Sequence, residues 1–156
     1  MKPIKRSKQL TPLSKDHHEG LLFAWKIKQG LKNETDPKTI AQYVHWFWKN
    51  HLQEHFTEEE QILAPYLPAD NELLKQMFDE HENIEAMVRI NDEIPDKTLL
   101  AQLAQAIDDH IRFEERQLFP YAEKVITEEQ LNDIYERLSR EPAQCEKWER
   151  EFWLKK

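Results

Sequence analysis

An all-helical fold, four long helices in an up-down-up-down bundle followed by an additional C-terminal helical segment, is predicted by three observations. The 156-residue chain contains only 2 Gly and is rich in Leu, Glu, Lys and Gln, a composition that favours helix over sheet. Its apolar residues recur at helical spacing across four long stretches that are separated by short polar or proline-bearing breaks. One pattern also occurs twice. His55, Glu59, Glu60, Leu63, Pro65 and Tyr66 are matched 55 residues later by His110, Glu114, Glu115, Leu118, Pro120 and Tyr121.

The elements follow in order. Residues 1–10 read as a basic N-terminal arm. Thr11-Pro12 is a start signal, and a first helix over 11–30 draws its core stripe from Leu13, Leu21, Leu22, Trp25 and Ile27. Gly30 lies where a helix C-terminus is expected. Asp36-Pro37 starts a long second helix over 36–64 with Val44, Phe47, Trp48, Leu52, Ile62 and Leu63 turned inward. A break at 68–71 precedes the third helix, which runs to about residue 91. Asp96 caps the fourth, over 96–124, with a kink at Pro120. Thr127-Glu128-Glu129-Gln130 forms a capping box for a shorter fifth helix over 127–140. Beyond Pro142 a last segment carries Trp148, Phe152 and Trp153. The divisions are thus an arm (1–10), a bundle (11–126) and a C-terminal extension (127–156), whose aromatic rings lie across the bundle or form a homodimer contact.

Charge narrows the function. A net charge of −8 and 30 acidic against 22 basic residues disfavour nucleic acid, which requires a clustered basic surface. No apolar run approaches the roughly 20 residues that span a bilayer, so no membrane partner is expected. The single Cys145 excludes an intramolecular disulfide and suits a reducing, cytoplasmic setting.

The repeated motif carries chemistry. A His and a Glu four residues apart on a helix leave it about 40° apart in azimuth and about 6 Å apart along the axis, on one face. A second echo, offset by 63 residues, aligns Asp16, His18, Glu19 and Ile27 with Asp79, His81, Glu82 and Ile90. It pairs the first helix with the third and selects His18 rather than His17 as the counterpart of His81. His18, His55, Glu59, His81, His110 and Glu114 then make four imidazoles and two carboxylates at the bundle centre, a dinuclear set. Such mixed donors suit iron first, then manganese or zinc.

Together these residues resemble a known family. Asp-x-His on the first helix, His-Phe-x-x-Glu-Glu with Leu-x-Pro on the second, a His on the third and His-x-x-x-Glu-Glu with Leu-Phe-Pro on the fourth are similar to the hemerythrin-like HHE cation-binding domain, over about residues 10–126. The resemblance implies a four-helix bundle holding a non-haem di-iron centre that meets O₂ or NO, with the same six ligands. Oxygen-carrying members have a second His on the third helix and an Asp on the fourth. Here Glu85 and Glu114 stand in those places, which points toward sensing, metal handling or stress response rather than oxygen transport.

Other polar residues are read as structural. His17, His45 and His51 are assigned to surface or satisfied core positions, at least two of Glu58, Glu60 and Glu115 to solvated faces, and Glu85 to either a seventh ligand or a surface charge. Three functions follow: a binding or sensing protein whose di-iron centre captures O₂ or NO or handles iron; a di-iron oxidase, peroxidase-like or iron-centre repair enzyme; or an interaction module with a structural metal. The first is the expected one, with no additional catalytic acid or base assigned.

Overall fold

The computed structural model describes residues 6–138 and 148–154, and every regular element among them is helical. After a 3₁₀ turn at Lys8–Leu10, α1 spans Thr11–Lys32. The second helix, α2, starts as Pro37–Phe47 and continues through a π turn (Trp48–Leu52), Gln53–Glu58, a second π turn (Glu59–Leu63) and a closing 3₁₀ turn, Ala64–Tyr66. Next, α3 spans Glu72–Glu93. The fourth helix, α4, comprises Lys97–Phe113, a π turn at Glu114–Leu118 and Phe119–Val125, and α5 spans Glu128–Leu138. Among the described residues, no helix is long and apolar enough to cross a membrane. Cys145 and Pro142 lie outside the described residues.

The start signals act as expected. Asp36 accepts from the amide of Lys38, Asn71 from those of Leu73 and Leu74, and Asp96 from that of Leu99, so each helix begins with a side chain on its otherwise unpaired donors. Thr127 and Gln130 exchange reciprocal bonds of 3.2 Å, completing the capping box of α5.

The end of α1 differs from expectation. The helix runs past Gly30 to Lys32 and closes with two bonds, Glu34 N–H to Leu31 C=O and Thr35 N–H to Gly30 C=O. These form a Schellman closure with Glu34, at φ 59°, in the left-handed position normally given to glycine. Gly30 serves a different need: a Cβ there would stand 2.6 Å from the ring of Phe152 and 3.1 Å from Ile40. The missing side chain is the seat of the C-terminal segment. Trp148, Phe152 and Trp153 pack their rings around Tyr43 at 5.2, 5.3 and 5.6 Å, and Asn33 donates to the carbonyls of Phe152 and Leu154. The aromatic tail therefore covers its own α1 and α2.

The inner stripe of α1 also departs from the predicted one. Leu13 and Ile27 are buried, but Leu21, Leu22 and Trp25 are exposed, and the inward positions are Leu13, His17, Gly20, Phe23, Ala24, Ile27 and Gly30. The helix turns small and polar residues inward because its middle faces a polar site and a close neighbour.

Two apolar clusters fill the bundle. One, at the end where α1 meets α2, includes Phe23, Ile27, Ile40, Val44, Leu100 and Leu103; the other includes Leu10, Leu13, Leu63, Met77, Phe119 and Ile134, bringing α5 and the turn before α1 into the core. Each such side chain contributes about 1.5–3 kcal/mol on burial. Arg6 is docked at the second end, donating to Glu123 at 2.6 Å and to the Glu115 carbonyl at 2.7 Å.

The second π turn of α2 and the π turn of α4 have a local cause. Within a regular helix a proline ring collides with the carbonyl four residues back. For Pro65 and Pro120 those carbonyls belong to Gln61 and Arg116, both inside π turns. The predicted kink at Pro120 takes this form, and the repeat reproduces it in α2. Each of these two widened turns begins at the Glu of the motif, Glu59 or Glu114, consistent with the frequency of π turns at functional sites.

Glu34→Gly relieves an L-residue of the left-handed conformation, and should raise the unfolding free energy of the chain by about 1 kcal/mol, measured by urea denaturation followed by circular dichroism.

Candidate metal centre

Between the two apolar clusters lies a layer of buried polar side chains: His17, His55, Glu59, His81, His110 and Glu114, each no more than 5% exposed. Five of these were predicted. The sixth is His17, because His18 is exposed on the outside of α1. The choice of His18 rested on an offset one residue short. With an offset of 64, Leu10, Leu13, His17, Gly20, Ala24 and Ile27 of the first repeat meet Leu74, Met77, His81, Ile84, Val88 and Asn91 of the second, and all twelve are buried. A one-residue slip rotates a helix position by about 100°, which is why the offset of 63 joined buried Ile27 to Ile90, 46% exposed.

The side chains form two groups that share both carboxylates. His17, His55, Glu59 and Glu114 present donor atoms within 4.8 Å of one another, and so do Glu59, His81, His110 and Glu114. Contacts repeat across the pseudo-two-fold. His17 Nε2 lies 2.7 Å from Glu114 and 3.5 Å from Glu59, and His81 Nε2 lies 3.0 Å from Glu59 and 3.7 Å from Glu114. His55 Nε2 is 3.3 Å from Glu59, and His110 Nε2 is 3.4 Å from Glu114. These last two nitrogens, with Oε2 of Glu59 and of Glu114, are buried without a hydrogen-bond partner.

A second ring of carboxylates holds the imidazoles from behind. His55 Nδ1 donates to Asp16 at 3.0 Å, His81 Nδ1 to Glu60 at 2.7 Å, His110 Nδ1 to Glu80 at 2.6 Å and His17 Nδ1 to Glu115 at 2.7 Å. Every His thus has Nε2 turned inward. Each link runs from one helix to the next: Asp16 of α1 to α2, Glu60 of α2 to α3, Glu80 of α3 to α4, and Glu115 of α4 back to α1. Ser14 adds a 2.8 Å bond to Glu115. Stacked rings fix two imidazole planes, Phe56 on His81 at 3.8 Å and Phe119 on His17 at 5.1 Å.

Sequence reasoning missed these four outer carboxylates. The acidic runs predict solvated faces for at least two of Glu58, Glu60 and Glu115; Glu60 and Glu115 instead sit behind an imidazole, while Glu58 stays outside the ring. The available signal was position: Asp16 and Glu80 each precede an inward His, and Glu60 and Glu115 each follow an inward Glu. Residues outside the layer are accounted for elsewhere. Glu85 pairs with Arg89 at 2.6 Å, His45 lies exposed 3.6 Å from Asp92, and exposed His51 packs on the rings of Trp46 and Phe47.

The electrostatics are those of a closed charge cluster. Burial pushes each imidazole toward its neutral form, but the surrounding carboxylates win. For His55, burial is opposed by the charge of Glu59 and by the bond to Asp16, which hold its pKa up to about 9. For His81, burial is opposed by the nearby carboxylates of Glu114, Glu59 and Glu60, and the pKa is raised to about 11. His17 and His110 are raised in the same way. In Glu59 and Glu114 burial favours the protonated form, yet the imidazoles around them hold both below the ordinary carboxylate range.

A small void lies against this layer. About 10 Å³ in volume, it is bounded by Gly20, Leu52, Phe56, Ile107 and Ile111 and by the polar side chains of Asp16, His17, His55 and His110. A larger open groove of about 320 Å³ runs outside His81, between Trp48, Phe78, Glu82 and Glu85.

The donor set suits a cation. Imidazole nitrogens and carboxylate oxygens, buried, converging and partly unpaired, are ligands for iron, manganese or zinc, and the outer carboxylates supply the backing that metal-bound imidazoles characteristically have. Comparison with known proteins agrees. No curated protein and no solved structure matches the chain. The family model of the Hemerythrin HHE cation binding domain matches residues 10–122, a stretch that holds all six inner residues and all four outer carboxylates. The chain belongs to the hemerythrin HHE cation-binding domain family.

Proposed function

We propose that this protein is a non-haem di-iron protein that binds or senses O₂ or NO, or handles iron. His17 and His55 would hold one ion and His81 and His110 the other, with Glu59 and Glu114 shared between them. The observation that carries this reading is the pair of four-residue groups with both carboxylates in common. Iron in such a set supplies a redox-active centre able to take up a diatomic ligand. The protein's own part is to orient and to exclude water. Asp16, Glu60, Glu80 and Glu115 fix each imidazole through Nδ1 and leave Nε2 free for the cation, while the apolar clusters seal the layer from both ends.

The size of the adjoining void supports a small ligand over an organic substrate. At about 10 Å³ it approximates the space of a single water-sized molecule.

Metal content per chain, measured on protein purified without a metal-affinity tag, tests the ligand set. His17→Ala, His55→Ala and Glu114→Ala should each lose bound metal, whereas His18→Ala and His45→Ala should keep two ions. Retention of both ions in His17→Ala would overturn the assignment. Iron-loaded protein, reduced and then exposed to air, should also change its near-ultraviolet and visible absorption.

The outer ring should tune affinity. Glu80→Gln and Glu115→Gln keep shape but remove the charge behind an imidazole, and each should weaken metal binding by about 10–100-fold, read by competition with a chelator of known affinity.

Loading should also release protons. In the metal-free chain the surrounding carboxylates shift all four imidazoles toward the protonated form, and a cation displaces the protons they hold. The sign for stability follows: the imidazolium contribution is fully present below the ordinary value of 6.5 and is lost as pH rises through the folded values, about 9 for His55. Metal-free protein should therefore become less stable above neutral pH while the loaded form does not, and a pH-indicator dye should record proton release on loading.

A further inference from the structure

The two halves of the polar layer repeat each other, but the groups standing behind them do not. On the α1 side the carboxylate of Glu115, which accepts from His17, is itself held. Ser14 donates to it at 2.8 Å, and the guanidinium of Arg6 lies 3.5 Å from it while donating to the carbonyl of the same residue at 2.7 Å. The side chain of Arg6 is only 8% exposed, and its other terminal nitrogen is anchored on Glu123 at 2.6 Å. Glu123 also accepts from the amide of Ser7, so the arm is fastened at two successive residues. The guanidinium further lies 5.3 Å from the centre of the Phe119 ring, and that ring is stacked on His17. Arg6 thus grips both groups that fix His17: the carboxylate at its Nδ1 and the ring on its face.

The α3 side lacks this support. At the 64-residue offset Ser14 corresponds to Phe78, which has no donor to offer. Glu60, the counterpart of Glu115, has His81 as the one partner of its carboxylate among the described residues. Glu60, Phe78 and Phe56, the ring stacked on His81, all border the open groove of about 320 Å³. Neither of the remaining outer carboxylates meets a Lys or Arg: Asp16 bonds to His55, and Glu80 is supported by the neutral amide of Gln76 at 2.8 Å. Arg6, Ser7 and Glu123 also lie outside residues 10–122, so this contact is no part of the stretch that the family match describes.

A guanidinium bonded to two acceptors at once fixes their geometry as well as their charge. An imidazole whose orienting carboxylate is held in this way resists turning aside, and a bound cation leaves only when its ligands turn aside. We propose that Arg6 is a positioning residue for the metal centre: the N-terminal arm latches the His17 half, so that a cation there is released more slowly than one in the His81 half. Arg6 touches no inner residue through a hydrogen bond and acts through Glu115 and Phe119. The inference rests on the reading of the layer as a two-cation site, but the grip on His17 belongs to the protein chain itself, so the two can fail separately.

The test uses full-length protein with nitrogen-15-labelled histidine, followed by nuclear magnetic resonance. In metal-free protein the Nδ1 proton of His17 should exchange with water several-fold more slowly than that of His81. Arg6→Gln should bring His17 close to the rate of His81 while leaving His81 unchanged, and Glu123→Gln, which removes the anchor of the guanidinium, should act in the same direction. Arg89→Gln breaks an exposed pair with Glu85 of the same 2.6 Å length and should alter neither ring. On zinc-loaded protein challenged with excess chelator, the ring signals should record release from His81 and His110 before His17 and His55, and Arg6→Gln should quicken the later step several-fold. In a Glu115→Gln background the same substitution should add little, because the two residues act in series. Unchanged His17 exchange in both Arg6→Gln and Glu123→Gln would overturn the latch. So would equal acceleration at all four imidazoles, which is the mark of a fold loosened as a whole. A chain that takes up no zinc removes the two-cation reading, while exchange in the metal-free protein still decides the role of Arg6.

Discussion

Two ionised carboxylates buried among four imidazoles at mid-height are the constraint on which this bundle depends. Taking such groups out of water costs several kcal/mol per ion, and the cost is recovered only when every charge finds partners with good geometry. Here each member of the set depends on the others. Removing one imidazole strands a carboxylate, and removing a carboxylate leaves two imidazoles facing each other. The apolar clusters on either side make this dependence severe by excluding water, and they also keep the surrounding helices fixed relative to the layer. A cation relieves the same problem from within, because it supplies positive charge without requiring the imidazoles to be protonated. Under the proposed assignment, folding and metal loading are coupled through the same six side chains.

The outer carboxylates show how a linear sequence builds a closed ring. On α1 and α3 the orienting residue comes just before the inward His, and on α2 and α4 just after the inward Glu. Successive helices run in opposite directions, so a step back along one and a step forward along the next turn in the same sense around the bundle. Four residues at different offsets in the motif consequently point the same way, each toward the imidazole of the following helix. Their proximity to solvent makes them adjustable: Glu60 and Glu115 are partly exposed, while the imidazoles they position are sealed. Substitution there alters the site without opening the core.

Much of this was legible in the sequence, and the failures have physical causes. The 55-residue repeat was clear because six identical residues recur without a gap, and it located His55, Glu59, His110 and Glu114 directly. The other repeat is more diverged. Its identities at an offset of 63 included exposed residues, so the matching favoured letters over the face they occupy, and His18 was chosen over His17. The spacing of Leu10, Leu13, His17, Gly20, Ala24 and Ile27 marks the buried face of α1, but small residues such as Gly20 and Ala24 do not announce one. For the same reason Leu21, Leu22 and Trp25 were read as core. Gly30 looked like a helix end because glycine commonly marks one; that it seats Phe152 depends on a contact more than one hundred residues away in sequence, which local pattern does not encode.

The ring of orienting carboxylates has a consequence for the handedness of the bundle. Exchange the places of α2 and α4, so that the helices circulate in the opposite sense, and the pseudo-symmetry supplies each link with a substitute: Asp16 would meet His110, Glu80 would meet His55, Glu60 would meet His17 and Glu115 would meet His81. The polar layer is thus satisfied by either circulation and cannot choose between them. That choice falls to the parts in which the two halves differ. Gly20 accepts Ile111 at close range but would face the larger Phe56 in the exchanged arrangement, and Gly30 with Tyr43 gives the aromatic tail a seat at only one pair of helices. The residues that break the internal symmetry, rather than those that obey it, decide which way round this chain folds.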